Sequence, residues 1–419
     1  MLLRLFILVC CITLLNGCAS ISKGVAQAVL EREREDARLC QITGQPFQGL
    51  FPLVKDPNRT TKVLMVHGMG SRVPGYSTPL QEGLSNKMAL NNTSKITKNI
   101  ELTSLYDTDK KHGNLRITQL TNEDKSHELL FYELTWSTIT DNEKALLSFD
   151  NSGKYSSRRT AINDRLKMFV NNTLPDPLIY LGDRHEDILL AFTQSFCWMV
   201  SSEKWDDLPV NTNQACDLAE LHSKIVSMKN DHYAFISHSL GSRIVIDGLQ
   251  RIAWLFGDNQ KRKEWAPTDK FVQAFRELRI PVFMLANQLP LLQLGRKLPD
   301  VAGESDAYCL AEGEHYDSRI LSETDIIAFS DPNDLLSYAI PYGFTDSYID
   351  SRLCVDATNI NINVANIIDV FGIGLTNPLE AHVAYRTDER VIALMVNGVG
   401  NENTSPIINE RCRTLKTDD

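Results

Sequence analysis

"DHYAFISHSLGSRIVIDGLQ", residues 231–250, joins a strand pattern to a helix pattern with a single serine at the junction. Tyr233–Ser237 is an apolar run of the length of a buried strand, and from Gly241 apolar residues recur at helical spacing as far as Phe256. Ser239 stands between them, with Ser237 two places before it and Gly241 two places after. A chain that passes from strand to helix within three residues bends sharply, and only small side chains two places to either side avoid collision. A serine hydroxyl is a weak nucleophile until a base lies beside it, and such a bend is one way to present it to a base. The helix that starts at Leu240 also turns free backbone N–H groups toward any negative charge developing there.

The pattern around this stretch alternates between buried strands and helices from Thr60 onward, which predicts an α/β fold with a mainly parallel sheet. Strands are expected at "KVLMVHG" (62–68), "LRITQL" (115–120), "ELLFYELTW" (128–136), "IPVFMLANQLPLL" (280–292), "DIIAFS" (325–330) and "LCVDATNININV" (353–364). Helices are expected at "STPLQEGLSNKMAL" (77–90), "DLAELHSKIVSMKN" (217–230) and "EAHVAYRTDERVIALMVNGV" (380–399). "QPFQGLFPLV" (45–54) offers one or two short early strands. Residues 141–215 are long and irregular, broken by "LPDPL" and "DDLPVNTN" around an apolar helix, "DILLAFTQSFCWMV". Such an insertion is either a lid or a packing layer.

"SHSLG" at 237–241 resembles the G-x-S-x-G elbow of the α/β-hydrolase superfamily, in the "GHSLG" form common in lipases and esterases, with Ser237 replacing the first glycine. The likeness extends in strand order over about residues 60–400 and is specific at four short places. It implies a central, mostly parallel sheet with helices on both faces and a helical insertion, and an acyl-transfer triad in the order Ser, acid, His. Ser239 is then the nucleophile. "VHGMG" (66–70) corresponds to the family's HG-containing loop, which implies an oxyanion hole made by the N–H groups of Met69 and Leu240. Only two histidines follow Ser239, and His315 comes too early, which leaves His382 as the base. The acid should follow a strand between them. "DIIAFSDPND" supplies Asp331 and Asp334; Asp334 is preferred and Asp331, which precedes a proline and suits a turn, is the alternative. His67, His238 and Arg243 need no catalytic role. No metal or organic cofactor is required by this chemistry.

The N-terminus sets the expected location. Residues 1–17 combine Arg4, an apolar run Leu5–Leu15 and the turn-forming Asn16-Gly17, as a secretory leader does, and the run is short for a membrane span. "LNGC" resembles the bacterial lipoprotein signal, which implies cleavage before Cys18 and its acylation, with residues 18–44 as a lipidated tether and 45–419 as the hydrolase domain. Ala19 implies the outer membrane, with the protein facing the periplasm. Loss of Arg4 takes the formal charge from −10 to −11, which argues against a nucleic-acid partner. Beyond Cys10, Cys11 and Cys18 six cysteines remain, either up to three disulfides or buried thiols. The expected function is cleavage of carboxylic esters, acyl lipids among the candidates. The competing expectation is a non-catalytic envelope lipoprotein that uses a hydrolase-like scaffold for binding or assembly.

Overall fold

The computed structural model describes residues 40–92, 96–153, 157–201, 204–217, 228–257, 269–370 and 373–415. The leader, Cys18 and the tether up to residue 39 lie outside the described residues, as do residues 218–227 of the helix expected over 217–230.

In chain order the strands are β1 (Cys40–Thr43), β2 (Phe47–Gln48), β3 (Thr60–Val66), β4 (Asn91–Asn92), β5 (Lys98–Thr103), β6 (Lys111–Thr121), β7 (Glu128–Thr135) and β8 (Asn211–Thr212). They continue with β9 (Asp231–His238), β10 (Arg279–Leu285), β11 (Glu323–Ser330), β12 (Val355–Asn361), β13 (Ile367–Val370), β14 (Ile373–Thr376), β15 (Gly398–Val399) and β16 (Cys412–Leu415). One large sheet runs β16-β1-β12-β11-β10-β9-β3-β7-β6-β5-β8. Its centre, β12 through β7, is parallel throughout, while β7, β6 and β5 form an antiparallel flank. The fold is therefore α/β with a mostly parallel central sheet.

Side chains alternate across that sheet with the period of two that a pleated strand imposes. In β3, Leu64 and Val66 enter one apolar layer and Val63 and Met65 the other. The first layer includes Phe192 and Phe196 of the helix His185–Ser201, and Ile244, Val245 and Leu249 of the helix Gly241–Gly257. The second takes Leu80, Leu84 and Met88 from Thr78–Met88, and Val391 through Val396 from Glu389–Asn397. Because both faces are covered, the central strands are apolar runs rather than alternating ones.

Two expectations change, at Cys40–Thr43 and over 380–399, and two become specific, over 45–54 and 141–215. Cys40–Thr43, placed by the sequence in the tether, is a strand of the main sheet. In 45–54 only Phe47–Gln48 is extended; Leu50–Val54 is a helical turn whose Leu50 and Val54 are buried. The single helix expected over 380–399 is two, Pro378–Val383 and Glu389–Asn397, because Asp388 accepts hydrogen bonds from the backbone N–H groups of Arg390 and Val391 and so starts a new helix. Between residues 141 and 215 the helix His185–Ser201 is part of the core and Asn211–Thr212 pairs with β5, so the second half of this segment is a packing layer.

All six cysteines pair, as Cys40–Cys412, Cys197–Cys216 and Cys309–Cys354. The first joins β1 to β16 and so ties the two ends of the described chain together. Among the described residues, no helix is long and apolar enough to cross a membrane.

Candidate active site

The C-terminal ends of β3, β9 and β11, which are neighbours or next-neighbours in the sheet, bring the chemistry to one edge. β9 ends at His238, and Ser239 follows with φ +57°, a left-handed conformation that costs a non-glycine residue about 1–2 kcal/mol. Several hydrogen bonds hold it there. The Ser239 N–H donates to the Leu285 carbonyl at 2.9 Å, and the Ser242 hydroxyl donates to the Ser239 carbonyl at 2.8 Å.

Two glycines make the bend possible. A Cβ on Gly241 would lie 2.4 Å from the Val66 carbonyl oxygen, and one on Gly68 would lie 2.4 Å from the His238 oxygen and 2.5 Å from Ser239 Cβ. The end of β3 and the elbow thus interlock backbone to backbone. Ser237, by contrast, lies inside β9, and its hydroxyl donates to the Phe283 carbonyl of β10 at 3.5 Å, so a residue larger than glycine is accommodated.

His382 lies on the short helix Pro378–Val383, capped by Asn377, whose side chain accepts from the Leu379 N–H. Its Nε2 is 3.0 Å from Ser239 Oγ, and its Nδ1 is 2.9 Å from both carboxylate oxygens of Asp334. Asp334 follows β11 and is buried; the Leu336 N–H donates to its Oδ1 at 3.0 Å and the Tyr385 hydroxyl to its Oδ2 at 3.3 Å. Asp331 is directed elsewhere. It accepts from the N–H groups of Asn333, Val364 and Ala365, at 2.8, 2.7 and 3.2 Å, and so shapes the turn after β11. The structure therefore brings Ser239, His382 and Asp334 together and leaves Asp331 out of contact with the imidazole. His315 is placed with Tyr308, whose ring centroid is 5.1 Å from its own.

Met69 and Leu240 flank the serine, and among the described residues no acceptor takes the N–H of either. The loop bearing Met69 is fixed by three buried groups that sequence reasoning did not single out. Gly70 N–H donates to Asp176 at 2.6 Å, Asp176 also binds Lys144 at 2.7 Å and Thr140 at 2.8 Å, and Glu133 accepts from the Ser77 N–H at 2.8 Å. Trp136 stacks on His67 with 4.7 Å between ring centroids. Asp176 belongs to "LPDPL", whose prolines announced a chain break but gave no sign of a carboxylate aimed at the loop.

Burial holds two flanking imidazoles neutral. It pulls His67 down to about 3; Nδ1–H donates to the Gly68 carbonyl at 2.7 Å, and Nε2 accepts from the Trp136 N–H at 3.1 Å. His238 is lowered too, first by burial and then by the charges of His382 and Arg386, and its Nε2–H donates to the His382 carbonyl at 2.7 Å. Arg243 is buried against Asp247 at 2.5 Å and Gln293 at 2.8 Å. Ser239 itself is fully buried in this conformation. Among the described residues, no group of three or more His, Cys, Asp and Glu side chains could hold a metal ion.

Compared with protein-family models, with curated proteins and with solved structures, the chain has no match in any of the three.

Proposed function

We propose that the chain is a serine hydrolase of the α/β-hydrolase type that cleaves carboxylic esters, held to a bacterial envelope membrane, the outer one, by lipid on Cys18. The observation that carries the reading is the continuous contact from Asp334 through His382 to Ser239. Asp334 accepts the Nδ1 proton of His382, which leaves Nε2 unprotonated and able to take the Ser239 proton as Oγ attacks the ester carbonyl. The N–H groups of Met69 and Leu240 hold the oxyanion. The imidazolium then gives its proton to the departing alkoxide, which leaves as the alcohol. Water, deprotonated by His382, attacks the acyl-enzyme and releases the carboxylic acid and free Ser239. The strain at Ser239 favours the same reading, since left-handed non-glycine residues gather where a side chain must be held at a reacting centre. Three disulfides suit an oxidising, exported location.

The test is covalent labelling of the full chain, in detergent, by a fluorophosphonate. Wild type is expected to react and Ser239→Ala to remain unlabelled. Absence of reaction in wild type across pH 6–9 would favour the scaffold role instead. Rates on p-nitrophenyl esters of rising chain length then place the acyl preference.

A further inference from the structure

Among the described residues, two arginines on the segments that carry Met69 and His382 have no acidic partner. Arg72 lies three residues past Met69, and its backbone is pinned at both ends by Ser137: the Arg72 N–H donates to Ser137 Oγ at 2.9 Å, and that hydroxyl donates to the Arg72 carbonyl at 3.3 Å. Arg386 lies four residues past His382. Its guanidinium donates through Nη1 to the Tyr76 carbonyl at 3.3 Å and through Nε to the Val383 carbonyl at 3.5 Å, so it bridges the histidine segment to the loop that bears Arg72. Both side chains are half-buried, and among the described residues neither makes an ion pair. Elsewhere in the molecule Arg243 and Arg296 share Asp247, Arg352 takes Asp350 and Arg390 takes Asp388.

The two charges feel each other and the neighbouring His238. Burial lowers Arg386 below its usual value, and the charge of Arg72 lowers it further. Both also act on His238, whose ring centroid is 5.0 Å from that of His382. Keeping like charges together and partly desolvated is unfavourable unless something negative joins them, and a guanidinium pair matches the paired oxygens of a carboxylate or phosphate. Among the described residues, the two carbonyl contacts leave most of the five N–H donors of the Arg386 guanidinium open.

We infer that Arg72 and Arg386 form an anion subsite next to Ser239, so that the ester this site takes carries a negatively charged group, carboxylate or phosphate, close to the bond that is cleaved. The assignment of substrate class rests on the serine-hydrolase reading. The subsite lies on the two segments that supply the oxyanion loop and the base, so an anion seated there would draw both toward the ester.

The experiment compares p-nitrophenyl butyrate with mono-p-nitrophenyl succinate, which has the same acyl length and adds a terminal carboxylate. Wild-type full chain in detergent is expected to favour the charged ester by about tenfold in kcat/KM, mostly through KM, as one charge-assisted hydrogen bond would give. In Arg72→Gln and Arg386→Gln the ratio should fall to about one, and Arg386→Lys should keep part of it. Phosphatidylglycerol against phosphatidylcholine in mixed micelles separates the sources of the anion. A phosphatidylglycerol preference lost in both variants assigns it to a lipid headgroup, whereas a succinate preference without one assigns it to a small soluble ester. Equal rates on charged and neutral esters in wild type, or a charge preference that survives both glutamine variants, overturns the subsite while fluorophosphonate labelling still stands. If Ser239 does not label, the hydrolase reading fails first, and the ³¹P line of inorganic phosphate decides the subsite alone. Broadening by wild type that is absent with R72Q/R386Q sustains it; equal broadening, or none, ends it.

Discussion

Ser239 holds a left-handed backbone conformation while its hydroxyl bonds to His382, and the two effects can be separated. Ser239→Ala and Ser239→Gly both lose the hydroxyl, but only glycine is relaxed at positive φ, so the glycine variant should be the more stable of the two by about 1 kcal/mol. Urea unfolding of both variants measures it, and equal midpoints would mean the bend carries no strain. The two aspartates after β11 should separate just as sharply. Asp334→Asn is expected to keep the fold and lose about 10⁴-fold in kcat, because the imidazole loses the acceptor that fixes its tautomer. Asp331→Ala strands the N–H groups of Val364 and Ala365, so it should cost about 1–3 kcal/mol of stability with less effect on rate. Stability and kcat measured on both variants test the division; a larger loss of kcat in Asp331→Ala than in Asp334→Asn would reverse it. At this scale the sequence is informative where a residue is small or catalytic in type. It was silent on Tyr385, whose hydroxyl touches Asp334, because one tyrosine in an apolar segment resembles any other until the fold turns it inward.

Elements place the site through the ends of strands, and β3 and the elbow meet there backbone to backbone. Gly68 and Gly241 meet the opposing backbone so tightly that a methyl group at either has no room. Gly241→Ala should push the helix Gly241–Gly257 away from β3 and lower stability by about 1–3 kcal/mol. Gly68→Ala should instead displace the Met69 loop from Ser239 and slow fluorophosphonate labelling by about 100-fold, the loss expected when one oxyanion donor is misplaced. Labelling as fast as wild type in Gly68→Ala would show that the loop does not set the donor. The central strands were readable as apolar runs bounded by glycine or aspartate. β5 and β1 were not, since "KNIELT" holds only two apolar residues and "CQIT" is only four residues long beside a charged segment. The break at Asp388 was likewise hidden, because apolar residues continue at helical spacing across it and only the capping bonds of Asp388 reveal a new start. The segment 141–181 reaches the site by another route, through Asp176, whose carboxylate joins Gly70 of the Met69 loop to Lys144 and Thr140. Insertion and Met69 loop are thereby joined through one buried carboxylate.

At the scale of the whole molecule, the fold buries neutral histidines that the unfolded chain would protonate, and this makes stability depend on pH. His67 has its pKa pulled by burial to about 3, against about 6.5 in an unfolded chain. Its contribution is complete above pH 6.5 and is lost as pH falls toward 3, because in that window the unfolded state binds a proton that the native state refuses. Each such group gives a slope of up to about 1.4 kcal/mol per pH unit, so His67 alone accounts for about 2 kcal/mol between pH 6.5 and 5. His238, also lowered, adds in the same direction. Glu323 opposes them. Burial, and then the charge of Asp325, lift its carboxyl to about 7, so the fold gains as pH falls from 7 toward 4.5, but the side chain is 40% exposed and solvent screens that gain. The buried histidines therefore dominate, and the urea midpoint of wild type should fall from pH 6.5 to 5. His67→Gln, less stable at pH 7 through loss of its bonds to Gly68 and Trp136, should show a slope smaller by about one proton. Parallel lines for wild type and His67→Gln would mean that His67 takes up its proton inside the fold.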